Sequence, residues 1–337
     1  MPKNILIIRI SALGDVAMTI PAIYSLAMKY PESNITVLTK PFFARLFVNR
    51  PKNISFVFFE DKHRSFKGLL GLIRQLHSKD FDCVADFHNI LKSWIIDLSF
   101  RLCGTKVCMV QKRRKERKRL LHGTDADRRT ATEPFINRYA DVLSELGLDI
   151  MPMITALPDN GNNPLPQCTI AKDGKRWIGI APFARYVNKT YPAEKMREVI
   201  ALLAKEENTR VFLFGSKDDI PTLSEWQAMA ENITCVAGTM KIEEELSLMK
   251  ELDTMISMDS ANQHMAALVG TRVLSIWGST TYHCGFVGWN QSLNDCLWTD
   301  IPCQPCTIAG SKQCPKGTLA CMNNIKPETI AKAAINK

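Results

Sequence analysis

The stretch Ile5-Leu6-Ile7-Ile8 is followed by the corner Ser11-Ala12-Leu13-Gly14-Asp15 and by an apolar helical pattern that starts at Val16. The continuous β-branched and apolar run predicts a strand that is covered on both faces. Open parallel sheets bind their ligands at the carboxyl ends of such strands, and the helix N-terminus that follows attracts anions. We therefore expect Gly14 and Asp15 to lie beside a phosphorylated ligand.

A second stretch repeats this pattern in the other half of the chain. The apolar strand Ile256-Ser257-Met258 leads into Asp259-Ser260-Ala261-Asn262-Gln263-His264, where a helix is expected to start. The chain has 337 residues, more than one compact core normally holds. Strands and helices alternate in both halves, which predicts an α/β protein with two Rossmann-like domains. Residues 156–167, rich in Pro, Asn and Gly, are the best candidate linker.

The composition bounds the class of protein. Apolar residues make up 46% and charged residues 23% of the chain, which are ordinary globular values. No stretch of about 18 uncharged apolar residues occurs, so no transmembrane helix is expected. The first residues lead directly into a strand without a secretory apolar segment. These features predict a cytoplasmic protein.

The net charge of +9 is unevenly distributed, because residues 112–119 contain seven basic residues in eight positions. Two interpretations are open. Such a block is often solvated surface, or it attracts polyanions such as nucleic acid, anionic lipid or a phosphorylated glycan. Nucleic acid is the weaker of these partners, because no interleaved aromatic residues or RNA-binding signature accompany the block.

Several residues could carry chemistry. The first corner has Gly14 alone, which argues against a dinucleotide fingerprint with its three glycines, and a phosphate-binding P-loop is absent. Asp15 is either a general base or a carboxylate that faces the helix dipole. Lys189, on a loop after a strand, either neutralises a phosphate or is solvated. Ser260 and the first helical amides could hold a diphosphate, whereas His264 alone reads as a structural histidine.

The two corners resemble the motifs of a known family. The Ser-Ala-Leu-Gly-Asp-Val corner, followed by Ile20-Pro21-Ala22, resembles the N-terminal signature of the heptosyltransferases, the inverting glycosyltransferases of family 9. The segment 259–267, with Val273 to Thr280 after it, is similar to the donor motif of that family. The family usually has Asp-Ser/Thr-Gly-x-x-His there, whereas this chain has Ala261 in place of the glycine. The resemblance covers nearly the full length in the expected order.

The resemblance implies a role for each matching residue. It makes Asp15 the catalytic base and places Arg9 and Gly14 on the acceptor side. Asp218 and Asp219 both fall near the ribose-binding carboxylate of the family, and Asp219 is the one assigned here. The donor-binding residues implied are Lys189, Asp219, Asp259, Ser260, Ala261, Gln263 and His264.

The resemblance also implies a GT-B fold, in which two Rossmann-like domains with parallel sheets face each other across a cleft. Residues 1–160 are then the acceptor domain, residues 161–325 the donor domain, and residues 326–337 a helix that packs back on the first domain. The implied donor is ADP-heptose, and the acceptor is a lipid-linked, phosphorylated lipopolysaccharide core or a related surface glycan. The implied place of action is the cytoplasmic face of the inner membrane, with no nucleic acid as partner. Two alternatives stay open, a different nucleotide-sugar donor and a non-catalytic binding protein.

Four of the eleven cysteines form the pattern Cys-x2-Cys-x7-Cys-x6-Cys, with Cys303, Cys306, Cys314 and Cys321. A cytoplasmic chain is not expected to use them as disulfides. They form either a structural zinc site or a loop of reduced, packed thiols. The resemblance implies that catalysis requires no metal or other cofactor.

Overall fold

The computed structural model describes residues 2–311 and 313–336. The chain divides into two compact units, and neither is continuous in sequence. The first unit comprises residues 1–112 and 135–165, and the second comprises residues 113–134 and 166–337. The transition at 165 lies near the linker expected from the sequence. The assignment of residues 113–134 to the second unit differs from the expected boundaries, because this segment makes its contacts with the later part of the chain.

The elements of the first half alternate between strands and helices. The strands are β1 (Asn4–Ile8), β2 (Asn34–Thr39), β3 (Ile54–Phe58), β4 (Cys83–Asp86) and β5 (Lys106–Met109). The helices are α1 (Leu13–Lys29), α2 (Pro41–Ala44), α3 (Phe66–His77), α4 (Leu91–Leu102), α5 (Arg114–His122), α6 (Asp125–Arg129) and α7 (Phe135–Glu145). Of these, α5 and α6 belong to the second unit.

The first unit is built on a parallel sheet with the strand order β3-β2-β1-β4-β5. Ile5 of β1 lies opposite Ile35 on one side and Cys83 on the other. Helices α3 and α4 cover one face, where Leu72 and Ile96 pack with Leu6 and other strand residues. The strand order reverses between β1 and β4, and the carboxyl ends of those two strands are where such a sheet binds ligands.

The second half repeats the alternation. The strands are β6 (Arg176–Ala181), β7 (Thr209–Leu213), β8 (Ile233–Cys235), β9 (Thr254–Met258), β10 (Val273–Ile276) and β11 (Cys296–Leu297). The helices are α8 (Ala193–Ala204), α9 (Ile220–Gln227), α10 (Ile242–Glu251), α11 (Ala261–Leu268), α12 (Ala320–Asn323) and α13 (Pro327–Ile335). The parallel strand order is β11-β10-β9-β6-β7-β8, so the order reverses between β9 and β6.

The C-terminal helix α13 lies in the second unit. Its buried residues Ile330 and Ala334 join the core formed by α8 and the sheet. The Tyr191 hydroxyl donates to the carbonyl of Ile325, which ties the chain just before α13 to the same core. The apolar face of α13 is therefore used within its own unit.

Residues 113–134 are held to the second unit by polar contacts. The Thr132 amide donates to the carbonyl of His283 at 2.8 Å, and Arg128 donates to the carbonyl of Pro302 at 2.6 Å. Arg129 forms an ion pair with Asp300 at 2.7 Å. These contacts keep residues 130–134 out of helix α7. Among the residues described, no helix is both long and apolar enough to cross a membrane.

Candidate functional site

The first candidate site lies at the carboxyl end of β1. Asp15, in the first turn of α1, accepts a hydrogen bond from the Ala12 amide at 3.1 Å and pairs with Arg9 at 2.7 Å. Gly14 precedes it in the same turn. The Asp15 side chain is 34% exposed, whereas Arg9 is buried. Asp15 therefore faces the helix dipole and is also accessible to a substrate, so the two interpretations from the sequence are compatible.

Arg9 is a fixed positive charge in this corner. Burial by itself lowers the pKa of Arg9, but Tyr139 and Asp15 outweigh that effect and the net pKa is raised. Its guanidinium also donates to the carbonyl of Phe87, directly after β4, at 2.6 Å. Burial raises the pKa of the neighbouring Tyr139 to about 12, so its phenol stays neutral at physiological pH. The charged pair at this site is Arg9 with Asp15.

The sequence analysis missed the residues that follow β4. His88 lies beside the first corner, with its Nε2 atom 3.3 Å from the Ser11 hydroxyl oxygen. Burial and the charge of Arg9 lower the pKa of His88 to about 3, so its imidazole is neutral at physiological pH. The available signal was the buried strand Cys83–Asp86, because the polar residues after it reach the same sheet edge as the first corner.

Asp86, the last residue of β4, organises this loop and is paired with a second acid. It accepts hydrogen bonds from the amides of His88 and Asn89 and from the Ser93 hydroxyl, all between 2.7 and 3.0 Å. Asp97 of α4 is buried beside it. Burial, followed by the charge of Asp86, raises the pKa of Asp97 to about 8. One proton is therefore retained by this pair at neutral pH.

The second candidate site lies where the order of the second sheet reverses. Lys189, in the turn after β6, forms an ion pair with Asp259, directly after β9, at 2.8 Å. Asp259 is only 6% exposed and Lys189 is also largely buried. The Thr280 hydroxyl donates to the same Asp259 oxygen, Oδ2, at 2.6 Å, and Gln263 donates to the other oxygen, Oδ1, at 3.2 Å. Lys189 is thus not a solvated loop lysine, because a buried carboxylate holds it in place.

The remaining residues of the donor motif surround the start of α11. Ser260 precedes the helix with extended backbone, and its hydroxyl oxygen lies 3.3 Å from that of Ser257. Ala261 is the first helical residue and is half-buried. Gln263 and His264 follow within the first turn and are both buried. The structure therefore brings this group of residues to the Lys189–Asp259 pair through one helix N-terminus.

The two acids after β7 differ in their surroundings. Asp219 is half-buried and accepts from both the amide and the hydroxyl of Ser216, each at 2.7 Å, so it stabilises its own turn. Asp218, in contrast, is exposed. Both follow a strand that neighbours β6, which places them at the same sheet edge as Lys189.

A network that the sequence analysis did not identify supports the second site. The carbonyl of Asn188 accepts from the Ser279 amide at 3.0 Å, and its side chain donates to Ser311 at 2.6 Å. Gln304 donates to the carbonyls of Trp277, Gly278 and Thr280. These bonds connect the Lys189 turn with the strand end that carries Thr280. No sequence motif predicts these hydrogen bonds, because they join groups that are far apart in sequence.

The four C-terminal cysteines line one cavity of about 70 Å³ beside Gly278 and Ser279. Burial raises the pKa of Cys306, and raises that of Cys321 to about 11. For Cys314, burial is outweighed by backbone amides that donate to its sulfur, so its pKa is lowered. Over residues 2–311 and 313–336, no three or more His, Cys, Asp or Glu side chains are placed to hold a metal ion. The four thiols therefore gather around one cavity of the second unit.

Two parallel α/β units, each with a charged corner where its strand order reverses, define the class of GT-B glycosyltransferases. The fold of solved structures agrees. A glycosyltransferase of family 9 from Veillonella parvula aligns with a TM-score of 0.74 and 17% identity over 98% of this chain and 96% of that one. Escherichia coli heptosyltransferase WaaC with ADP aligns with a TM-score of 0.65 and 14% identity over 98% of both chains.

Sequence comparison then gives the family. The model of glycosyltransferase family 9 (heptosyltransferase) matches residues 69–316, and the chain belongs to this family. Lipopolysaccharide heptosyltransferase 3 of Escherichia coli is 24% identical over 295 residues, which cover 83% of this chain and 84% of that protein. The expected family, the GT-B fold and the assignment as a glycosyltransferase are confirmed.

Proposed function

We propose that this protein transfers heptose from ADP-heptose to a lipopolysaccharide core or a related surface glycan, with inversion at the anomeric carbon. The observation that carries the proposal is the Asp15 carboxylate, accessible at the switch point of the first sheet and oriented by buried Arg9. The name of the Escherichia coli relative and the ADP bound to WaaC support the acceptor and donor classes.

In this mechanism the acceptor binds on the first unit. An acceptor hydroxyl attacks the anomeric carbon, the new C–O bond forms, and the bond to the diphosphate oxygen breaks. Asp15 takes the hydroxyl proton as general base. Arg9 keeps the Asp15 carboxylate in one orientation, and its charge attracts acidic groups of a phosphorylated acceptor.

The second unit binds the donor. Lys189, held by Asp259, neutralises charge that develops on the departing diphosphate, and the N-terminal amides of α11 add to this stabilisation. Ser260, Ala261, Gln263 and His264 shape that helix N-terminus, and Asp219 binds the ribose. Since Lys189 supplies the cation, we propose that the transfer step needs no metal or other cofactor.

The acceptor sets the place of action. A lipopolysaccharide core under assembly is linked to lipid, so we propose that the protein works in the cytoplasm at the inner membrane. The basic segment 112–119 then has a phosphorylated glycan as partner and no nucleic acid. Its Arg113 and Arg119 are paired with Glu116 and Asp127, which leaves a weaker polyanion surface than the sequence suggests.

The experiment measures release of ADP from ADP-heptose with a lipid A–core acceptor, for the wild type and for Asp15→Asn. Asparagine still accepts the hydrogen bond from the Ala12 amide but cannot take a proton. We expect kcat to fall by about a hundredfold or more, with little change in the KM for the donor. Asp61→Asn, which removes an exposed carboxylate of the same unit, is the control.

Each outcome is decisive for one part of the proposal. Full turnover in Asp15→Asn would remove Asp15 from the mechanism. Turnover of the wild type with another nucleotide sugar, but not with ADP-heptose, would change the donor and direct attention to Ala261. An α-configured and a β-configured product are distinguished by NMR, and retention of the donor configuration would exclude the direct displacement.

A further inference from the structure

Helix α4 is apolar on two opposite sides. One side, with Ile96 and Phe100, is buried against the sheet of the first unit. The other side carries Leu91, Trp94, Leu98 and Leu102, which are 69%, 42%, 58% and 79% exposed. Their spacings of three and four residues place them in one stripe along the helix. We call these four residues the α4 stripe.

The neighbouring helix adds to this surface layer. Helix α3 packs beside α4, where the His77 ring stacks on Phe100 at 4.3 Å and bonds to the Ser99 hydroxyl. Phe66 and Leu70 of α3 are also exposed. A helix in a water-exposed layer normally carries polar residues on its outer side. Exposed apolar residues on two adjacent helices instead indicate an interaction surface.

Outside the core, the charged residues of helices α3 and α4 have one sign. The exposed or half-exposed charged residues of the two fully described helices are Lys67, Arg74, Lys92 and Arg101. The only acid on either helix is Asp97, and it is buried in the core. Lys112 lies over the ring of Trp94 at 5.4 Å, so another cation sits at the stripe itself. The acids before α3, Glu60 and Asp61, are paired with Lys62 and Arg64.

We propose that the α4 stripe docks on a bilayer that contains anionic phospholipids. Leucine side chains enter the boundary between headgroups and acyl chains, a tryptophan lies at that boundary, and the surrounding lysines and arginines contact the headgroups. A second copy of the chain is the poorer occupant, because a two-fold contact would place the same positive residues opposite each other. The docking itself does not depend on the proposed function. Only its purpose, which is to bring the first unit to a lipid-linked acceptor, rests on that function.

The test is sedimentation of the full-length protein with vesicles of phosphatidylcholine, with and without phosphatidylglycerol. We expect binding to the anionic vesicles that weakens about tenfold or more in the double variant Leu98→Gln, Leu102→Gln. The matched control is Met28→Gln, Leu293→Gln, which also removes two exposed apolar side chains, neither of them on α3 or α4. The control is expected to bind within about twofold of the wild type.

A second measurement locates the contact. Trp94 is the exposed tryptophan of the first unit, so brominated acyl chains should quench its fluorescence, and this quenching should disappear in Trp94→Phe. Equal binding of the wild type and the Leu98, Leu102 variant would overturn the proposal. So would a wild-type dimer in analytical ultracentrifugation that this variant converts to a monomer, because the stripe would then be a contact between copies.

Activity separates this inference from the proposed function. The Leu98, Leu102 variant should keep wild-type turnover on a deacylated, water-soluble core acceptor and lose turnover on the acceptor in vesicles. If the wild type transfers no sugar to either acceptor, the proposed function fails while the vesicle measurements still decide the docking surface. Loss of turnover on the soluble acceptor in the variant would contradict a role limited to docking.

Discussion

Two aspartates occupy similar positions after buried strands, yet their environments give them different capacities. Asp15 is paired with Arg9 and remains partly exposed, so it can exchange a proton with a bound hydroxyl. Asp259 is buried, paired with Lys189 and bonded by Thr280 and Gln263. A carboxylate whose oxygens are so fully engaged orients its neighbours and is a poor base. The burial of each acid, which no sequence motif encodes, separates the two roles.

Replacing Lys189 with Gln tests the donor site. We expect kcat/KM to fall by about a hundredfold or more, because the cation that stabilises the leaving diphosphate is lost. Stability should also fall, since the buried Asp259 loses its partner. The double variant Lys189→Gln, Asp259→Asn should recover stability without recovering activity. Steady-state kinetics and denaturant unfolding check both parts, with exposed Lys205→Gln as control; recovered activity in the double variant would contradict the role of Lys189.

The raised pKa of Asp97 predicts that the stability of the first unit depends on pH. Its folded pKa is raised to about 8, so the folded protein keeps a proton that the unfolded chain releases above its ordinary pKa. Stability therefore falls as pH rises from about 4 to 8, by up to about 1.4 kcal/mol per pH unit. Asp97→Asn, which is neutral throughout, should remove this slope. Denaturant unfolding from pH 5 to pH 8 measures the difference, and parallel curves for the wild type and the variant would refute it.

The residues of both corners could be identified from the sequence because each follows an unbroken apolar strand. Asp15 and Asp259 are of this kind and Lys189 lies on the loop after a strand, whereas Arg9 was implied only by the family resemblance. His88, Asn188 and Gln304 could not be identified in the same way. Their positions depend on which strands become neighbours and on bonds to distant carbonyls, and these are properties of the assembled sheet.

At the scale of elements, helix starts and ends explain most differences between expectation and structure. The sequence pattern of residues 130–146 indicates one helix, but α7 begins only at Phe135. Pro134 favours a helix start at this point, and Thr132 is bonded to the His283 carbonyl instead of to a helical turn. The short helix α5 was hidden in the basic run, because eight consecutive charged residues conceal any apolar periodicity. Only Leu120 of α5 is buried.

The end of β10 depends on Gly278. A Cβ atom there would lie 2.8 Å from the carbonyl oxygen of Asn188 and 2.5 Å from Met322. We expect Gly278→Ala to cost about 1–3 kcal/mol of stability and to weaken ADP binding, because the displaced carbonyl belongs to the turn that carries Lys189. Unfolding and titration calorimetry measure the two effects.

A glycine in open space provides the matched control for that variant. At Gly71, inside α3, an added Cβ meets no atom within 4 Å. Gly71→Ala should therefore stabilise the protein by about 0.5–1 kcal/mol and leave ADP binding unchanged. Equal effects of the two substitutions would show that the close approach at Gly278 has no consequence.

At the scale of the whole molecule, the division into two units predicts a selective response to nucleotide. Five of the six tryptophans lie in the second unit, and Trp94 lies in the first. ADP at about 100 times its Kd should stabilise the second unit by about 2.7 kcal/mol. The tryptophan fluorescence transition should then move to higher temperature. A calorimetric transition assigned to the first unit should stay in place, and a shift in that transition alone would place the nucleotide site elsewhere.

The domain plan could be inferred from the sequence only in part. Alternating strands and helices, and a linker rich in Pro and Asn, predicted two domains with a boundary after residue 160, and the structure has a transition after residue 165. The other two transitions, near residues 112 and 134, are set by contacts with Asp300, Pro302 and His283. These partners lie more than 150 residues after the segment that they contact. No local pattern in the sequence predicts contacts over such a separation. The same holds for α13, whose apolar face could serve either unit until the packing is known.

Because the second unit is discontinuous in sequence, one part of it is translated well before the residues that it contacts. Thr132 and the carbonyl that binds it are separated by 151 positions. At about 5–20 residues per second, translation needs roughly 8–30 s to cover that interval. Throughout this time the segment 113–134 lacks its partners in the second unit, whereas all five strands of the first sheet have already been synthesised. The dense positive charge of the segment keeps it hydrated and discourages premature collapse.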